Sequence, residues 1–351
     1  PNDNKTNIFG ANLNIWFDWK LGRTTAGYEL RTEDLRSTNL GEPLSVNSQQ
    51  STVNSQRPNG LDRTNHSWHI EHNITYQQLT LSAGLMALRN TWNKMPYHLY
   101  PGIDIAYKLG QNCKAYASWN TSMRLPSYTE LYYKVDGHKA DPNLLPEKMS
   151  ALELGFLRST INSQQSIVVF KHHGTNMIDW IIDMNVPESS RVWQSVNHAV
   201  IESYGFELSS KWNIAQIFRH QKRLRTVTLA YSFIHQKQKE EAANILSRYT
   251  LEYLRNKVVA STIINIYERN SRSLNLSMFY RYQDRIGQYT NADGDVLKYK
   301  PYSLIDTRLD YTLNKVILYF EANNLLNKQY TDYGNVLQPG IIATIGFKLR
   351  L

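Results

Sequence analysis

Alternation constrains this chain more than any motif does. In "CKAYASWNTSMRL", Cys113, Ala115, Ala117, Trp119, Thr121, Met123 and Leu125 share one face, and Lys114, Tyr116, Ser118, Asn120, Ser122 and Arg124 share the other. "FGANLNIWFDW" separates Phe9, Ala11, Leu13, Ile15, Phe17 and Trp19 from Gly10, Asn12, Asn14, Trp16 and Asp18. The C-terminal "IIATIGFKLRL" divides Ile341, Ala343, Ile345, Phe347, Leu349 and Leu351 from Ile342, Thr344, Gly346, Lys348 and Arg350 in the same way. A period of two marks a strand with one apolar face. Strands of soluble proteins average about 5–6 residues, whereas a tilted strand that crosses a bilayer needs about 9–11. These runs have the longer length.

About fifteen such segments follow one another, starting with 7–18 and 22–35 and ending with 315–325 and 339–351. The connections between them alternate in length. Short ones include "KLG", "QQ", "QN" and "NK", with "NIAQIFRHQKR" a longer exception. The long ones fall at about 36–63, 127–146, 184–197, 239–252, 287–300 and 328–338, and "TWNKMP" is a brief member of that set. Sorting by parity is expected of an outer-membrane barrel, whose short turns face the periplasm and whose long loops face outward. The expected fold is therefore all-β, a transmembrane antiparallel β-barrel.

Composition agrees. Mean hydropathy is −0.50, and no apolar run approaches the ~20 residues of a transmembrane helix. A barrel strand hides its apolar surface in every second residue, so this does not argue against a membrane. The 23 Tyr and 8 Trp suit interfacial girdles, and Trp16, Trp19, Trp212 and Tyr267, all near short turns, are expected to form one. The net charge of +9 is spread singly rather than in runs, so nucleic acid is not an expected partner. With Cys113 the sole cysteine, neither an internal disulfide nor a multi-cysteine zinc site can form. The opening "PNDNKTNIFG" has no basic region followed by an apolar one; either a leader was removed or the chain is the later part of something longer.

Few residues point to chemistry. His172 and His173 are adjacent, so in a strand they face opposite ways and cannot chelate one metal. "NADGDVLKY" resembles the start of a calcium loop through Asp293 and Asp295 but lacks the later glutamate, and Asp136 and Asp141 lie in another loop. No resident cofactor or metal is expected: the segment is read as a polar outer hairpin, with a structural calcium at Asp293 and Asp295 the alternative. No G-x-S-x-G, P-loop or H-E-x-x-H is present, and an enzyme is not expected. Arg191, Lys237 and Lys239 are read as solvated charge, with lipopolysaccharide phosphates the alternative. Lys114, Arg124, Glu153, Glu207, Asp306, Arg308 and Asp310 form an inward-facing set.

The stretch "RLPSYTELYYKVDGHKADPNLLPEKMSALELGF" carries a resemblance. Arg124, Pro126, Glu130, Leu131, Tyr132, Asn143, Leu144, Pro146, Glu147, Lys148, Glu153, Leu154 and Gly155 resemble the strand-end, "ELY" loop and re-entry pattern of TonB-dependent outer-membrane transporters. "SYGFELSSKW" and the closing "NNLLNKQY…PG" (Asn323 to Asn327, Lys328, Tyr330, Pro339, Gly340) are similar to further family segments, so the resemblance runs from about residue 113 to the C-terminus. The chain departs from the family at Ile341, where an arginine is usual, and at Leu351, where an aromatic is usual.

The resemblance implies a barrel of ~22 strands filled by a plug, of which this chain supplies the C-terminal ~15. The plug and the N-terminal strands are then expected outside it. It implies a receptor in the bacterial outer membrane, energised by TonB through the plug, with outer-membrane lipid and lipopolysaccharide around it. A surface lipoprotein is a further candidate partner. "IDW" (Ile178 to Trp180) and "WQSVNH" are most similar to cobalamin receptors. A ferric-siderophore or haem receptor is the alternative, and a passive porin a further one. Arg124, Tyr128, Tyr132, Tyr133, Trp180 and Trp193 are the expected ligand contacts at the outer rim, since amphipathic rings offer both area and hydrogen bonds. Pro126 and Pro146 have a purely structural reading beside this, because proline ends ladder pairing.

Overall fold

The computed structural model describes residues 3–44, 57–133, 135–197, 200–218, 221, 223–238, 244–248, 252–291, 294–332 and 336–349, the side chains of Gln238 and Thr290 excepted. Asp293, Lys239, His198, Arg350 and Leu351, singled out above, lie outside the described residues.

Fifteen long strands carry the fold: β1 (Asn4–Trp19), β2 (Gly22–Ser37), β3 (Asn59–Tyr76), β4 (Leu79–Asn90), β5 (His98–Lys108), β6 (Cys113–Arg124), β7 (Glu147–Ser159), β8 (Ser163–Thr175), β9 (Ile201–Asn213), β10 (Leu224–Gln238), β11 (Tyr253–Arg269), β12 (Arg272–Ile286), β13 (Tyr302–Leu313), β14 (Val316–Asn323) and β15 (Ile342–Leu349). They form one antiparallel meander in which each strand pairs with its neighbours in sequence. Several turns at the short end take two residues with one in left-handed backbone: Gln77 (φ 52°), Asn270 (φ 53°) and Asn314 (φ 52°). Asn tolerates that conformation because its short side chain bonds locally. The longer exception closes through a short helix, Ile214–Ile217.

Register assigns the faces. Ala117 stands opposite Leu154, Leu154 opposite Val169, Val169 opposite Phe206 and Phe206 opposite Phe233, an apolar row across five strands. The other face holds a row of Tyr116, Gly155, Val168, Glu207, Ser232 and Lys257. Leu154 remains 50% exposed and Val169 44% exposed although their strands are paired on both sides. A wide apolar face left uncovered by protein is built for an apolar solvent. No helix among the described residues is long and apolar enough to cross a membrane; the strands do the crossing.

Trp19, Trp212 and Tyr267 lie on the apolar face near the short turns, as a girdle requires. Trp16 does not: it pairs with Thr25 on the face of Asn12 and Asn14 and so belongs to the lumen side. Its place one residue off the register of Ile15 and Phe17 decides this, because each step in a strand reverses the face.

The main buried cluster is at the long-loop end, not in the wall. Leu35, Leu40, Trp92, Leu131, Tyr132, Leu144 and Ile178 pack together there, drawn from strand ends and from four connections. At the sheet's sides, among the described residues, no strand pairs with the free edge of β1 or of β15.

Candidate functional site at the outer mouth

The stretch after β6 folds into the mouth. Ser127 caps a five-residue helix, α1 (Tyr128–Tyr132), through a capping box: its hydroxyl accepts from the Glu130 N–H and its own N–H donates to the Glu130 carboxylate. The S-x-x-E spacing encodes this cap; the helix itself is a finding of the structure. Arg124, at the end of β6, grips two carboxylates at once, Glu147 at 2.7 Å and Glu130 at 3.0 Å. Glu147 also accepts from the Ile178 N–H at 2.8 Å. One guanidinium thus ties a strand end, the helix and a second loop. Burial pushes the Glu130 carboxyl up, but Arg124 and the Ser127 N–H outweigh it and hold the group below its ordinary value.

The expected ligand rings have structural partners. Tyr132 is 6% exposed, sits in the buried cluster and donates to Glu42. Tyr128 donates to Glu33, which Arg63 also holds, and the Arg63 guanidinium lies 4.3 Å over the Tyr128 ring. Burial, with Glu33 adding to it, raises the Tyr128 phenol and keeps it protonated. Trp180 is 5% exposed and makes a trio of edge-on rings with Tyr133 and His138. The structure therefore places Tyr132 and Trp180 inside the mouth's packing rather than on its surface. Tyr133 and Trp193 are partly exposed, with Arg248 5.7 Å from the Trp193 ring.

A four-stranded sheet joins the loops, in the order Ile245–Ser247, Ile178–Asp183, Trp193–Asn197, His138–Lys139. Its strands come from three separate connections. Asp179 is fully buried, bonded by the Ser247 hydroxyl and the Trp180 N–H. Ser195 donates to the Glu130 carbonyl and accepts from the Asp141 N–H, while Asn197 bonds both the N–H and the carbonyl of Leu145. Glu33, Glu42 and Arg63 complete the site and were not apparent in the sequence; Asp179, Ser195 and Asn197 fall in the quoted "IDW" and "WQSVNH", but their bonding was not, since each of the six acts on a segment more than fifty residues away.

Among the described residues, three of the cavities at this end bear on the mouth. One of about 330 Å³ lies beside Arg124, Glu130, Glu147, His172 and Ile178. A second of about 590 Å³ is lined by Glu252, Arg255, Asp284, Arg285 and Tyr299. A third, of about 390 Å³ between two loops, is lined by Lys298, Lys300 and Lys328 with Tyr289, Tyr299, Tyr302 and Tyr330. The Asp295 region is a polar hairpin, Gln288–Thr290 with Val296–Lys298, in which Asn291 bonds the Asp295 N–H and carboxylate. Among the described residues no three His, Cys, Asp or Glu side chains converge on a metal position. His172 stacks on Phe170 on the lumen face while His173 meets Glu202 on the other.

The sequence matches the family described as "TonB dependent receptor-like, beta-barrel" over residues 1–325. The chain belongs to that family. A search of the curated proteins finds no match. Among solved structures, this TonB-dependent receptor barrel is similar to the apoprotein of the FrpB iron transporter from Neisseria meningitidis, with 14% identity, a TM-score of 0.72, 99% of this chain and 56% of that one covered. It is also similar to the copper transporter OprC, with 14% identity, a TM-score of 0.73 and coverage of 100% and 58%. The siderophore receptor PirA from Acinetobacter baumannii matches with 14% identity, a TM-score of 0.70 and coverage of 99% and 55%. At this identity the likeness establishes the barrel fold. The chain spans little more than half the length of these structures.

Proposed function

We propose that the chain is the larger part of the barrel of an outer-membrane receptor that imports a scarce metal nutrient, as a ferric siderophore or another anionic chelate, using energy delivered by TonB. Family membership supports the TonB coupling and the outer-membrane location, and it speaks for binding and gating rather than covalent chemistry. Similar structures carry titles naming iron, siderophore and copper transport. The observation that carries the ligand class is the cavity between the last two long loops. Three exposed lysines line it with the partly exposed rings of Tyr289 and Tyr330, while Tyr299 and Tyr302 are buried in its wall with their hydroxyls donated to Glu252, Gln283 and Asp332; ammonium groups and open ring faces suit an anionic, aromatic chelate. The plug and the partners it engages would lie outside this chain.

Cobalamin rested on "IDW" and "WQSVNH". In the structure these segments are the two central strands of the loop sheet, with Trp180 buried in it. Packing accounts for them, so they speak less to the ligand. The test is titration calorimetry on the full-length protein in detergent, with ferric catecholate and hydroxamate siderophores, a copper chelate and cyanocobalamin. Tight binding of an anionic chelate, weakened about tenfold by Lys300→Gln with Lys328→Gln, is the expected result. Tight binding of cyanocobalamin would replace the ligand. Silence from every ligand together with free ion conduction in a planar bilayer would support the porin.

A further inference from the structure

Two of the mouth cavities share a wall. Lys298, Tyr299 and Pro301 line both the cavity of about 390 Å³ that holds the lysine cluster and the cavity of about 590 Å³ beside it. The smaller is the proposed seat of an anionic chelate. The larger has a different charge pattern, and its local chain explains why. Glu252 stands just before β11, and its side chain lies across Gly287, just after β12. Gly287 has φ +133°, and a Cβ there would come 2.7 Å from the Glu252 Cγ. Only glycine combines that backbone with room for the glutamate.

The Tyr299 hydroxyl donates to the Glu252 carboxylate at 3.2 Å. Among the described residues no cationic side chain forms an ion pair with it. The guanidiniums that line the same cavity are engaged elsewhere: Arg255 holds Asp284 at 2.7 Å, and Arg285 reaches Asp332 at 3.4 Å. Burial pushes the Glu252 carboxyl above its ordinary 4.5; the Tyr299 bond and Arg285 offset only part of this, and Asp179 adds to it. Lys298, on the same cavity, is exposed and forms no ion pair with a described residue. The cavity thus presents one carboxylate and one ammonium that lack partners of opposite charge. Their complement is a group that carries both charges.

Given the import of an anionic chelate proposed above, on which this rests, we infer that the chelate carries an amino-acid arm, seated in the larger cavity with its ammonium on Glu252 and its carboxylate on Lys298. The arm passes the shared wall at Tyr299 while the metal-binding end stays among the lysines of the smaller cavity. An arriving ammonium gives the half-buried carboxylate the partner it lacks, in a charge-assisted bond. A neutral arm would displace water from Glu252 and offer nothing in return, which costs affinity. Selection among chelates then comes from an unmet charge rather than from added contact area.

The test is calorimetry on the full-length protein in detergent with three probes: the ferric complexes of dihydroxybenzoyl-lysine, of its Nε-acetyl derivative and of dihydroxybenzoyl-cadaverine. The lysine complex should bind about tenfold more tightly than the acetylated one, which has lost only the ammonium. The cadaverine complex keeps the ammonium without the carboxylate and should also bind less tightly than the lysine complex. Glu252→Gln, which keeps an acceptor for Tyr299, should bring the lysine complex down to the level of the acetylated one and leave the acetylated one no weaker. Lys300→Gln with Lys328→Gln should weaken both alike and preserve their ratio. Equal binding of the lysine and acetylated complexes, or a preference that survives Glu252→Gln, would overturn the amino-acid arm and leave the chelate reading standing. Equal binding of the lysine and cadaverine complexes would overturn the carboxylate contact. Failure of all three to bind would overturn the arm and the chelate reading together.

Discussion

Arg124 is the residue on which the mouth turns. It was expected to meet a ligand, and alternation alone placed it correctly on the inward face; what no local pattern revealed is that Glu130 and Glu147 claim both edges of its guanidinium. Arg124→Gln should loosen α1. Arg124 is about half exposed, so the cost falls below the about 3–5 kcal/mol of breaking a buried pair, at about 1–2 kcal/mol. Hydrogen exchange of the Leu131 and Tyr133 amides, which bond the Ser127 and Thr129 carbonyls, should speed up about tenfold, while exchange in the middle of β7 stays unchanged. The pH dependence follows from Glu130, whose carboxyl is held below its ordinary 4.5. Its contribution is full above that value and is lost as pH falls through the lowered one, because protonation then costs the ion pair. Near-ultraviolet dichroism of the mouth aromatics should hold from pH 7 to about 5 and decline below about 4. In Glu130→Gln that acid step should vanish; its survival would assign the step to other carboxylates.

At the scale of elements, strands were readable and loops were not, for one physical reason. A strand states its face every second residue, so segments 64–75 and 78–91 reappear as β3 and β4, the first extended at its ends and the second trimmed by one residue at each. The loop sheet pairs Trp193 with His138 and Ile182 with Leu246, short pieces whose partners are distant in sequence, and no periodicity can announce them. That is also why Tyr132 and Trp180 looked like free rings. Gly155 belongs with the readable part but carries a second meaning. The Tyr116 ring crosses it from the paired position, and a Cβ there would stand 2.1 Å from the ring. Tyr319 covers Gly346 similarly, with its hydroxyl 2.5 Å from such a Cβ. Gly155→Val should therefore destabilise the barrel by about 1–3 kcal/mol, read as a lower thermal unfolding temperature in detergent. Adding Tyr116→Ala should recover part of the loss, a coupling that a simple loss of glycine's flexibility would not produce.

The whole molecule is defined by what its sheet leaves unpaired. β1 offers a sixteen-residue edge and is exposed along its whole length, and β15 offers a second edge of eight residues, with Ile345 and Phe347 83% and 75% exposed. Long free edges with apolar flanks recruit other strands. In a closed barrel every edge is paired, and an open one in lipid would strand backbone groups without water to bond them. The two edges of this sheet therefore call for further strands between them, consistent with matched structures that are nearly twice as long. Refolded by itself in detergent, the 351-residue chain should associate through β1 and β15. Light scattering behind a sizing column should show oligomers that grow with concentration, while the full-length protein runs as one species. Lysine placed at Leu13 and Ile345 should suppress that association, since edge charge opposes strand addition. A monodisperse monomer of the chain alone would mean that β1 and β15 close on each other, and the barrel would then be a narrower one of fifteen strands.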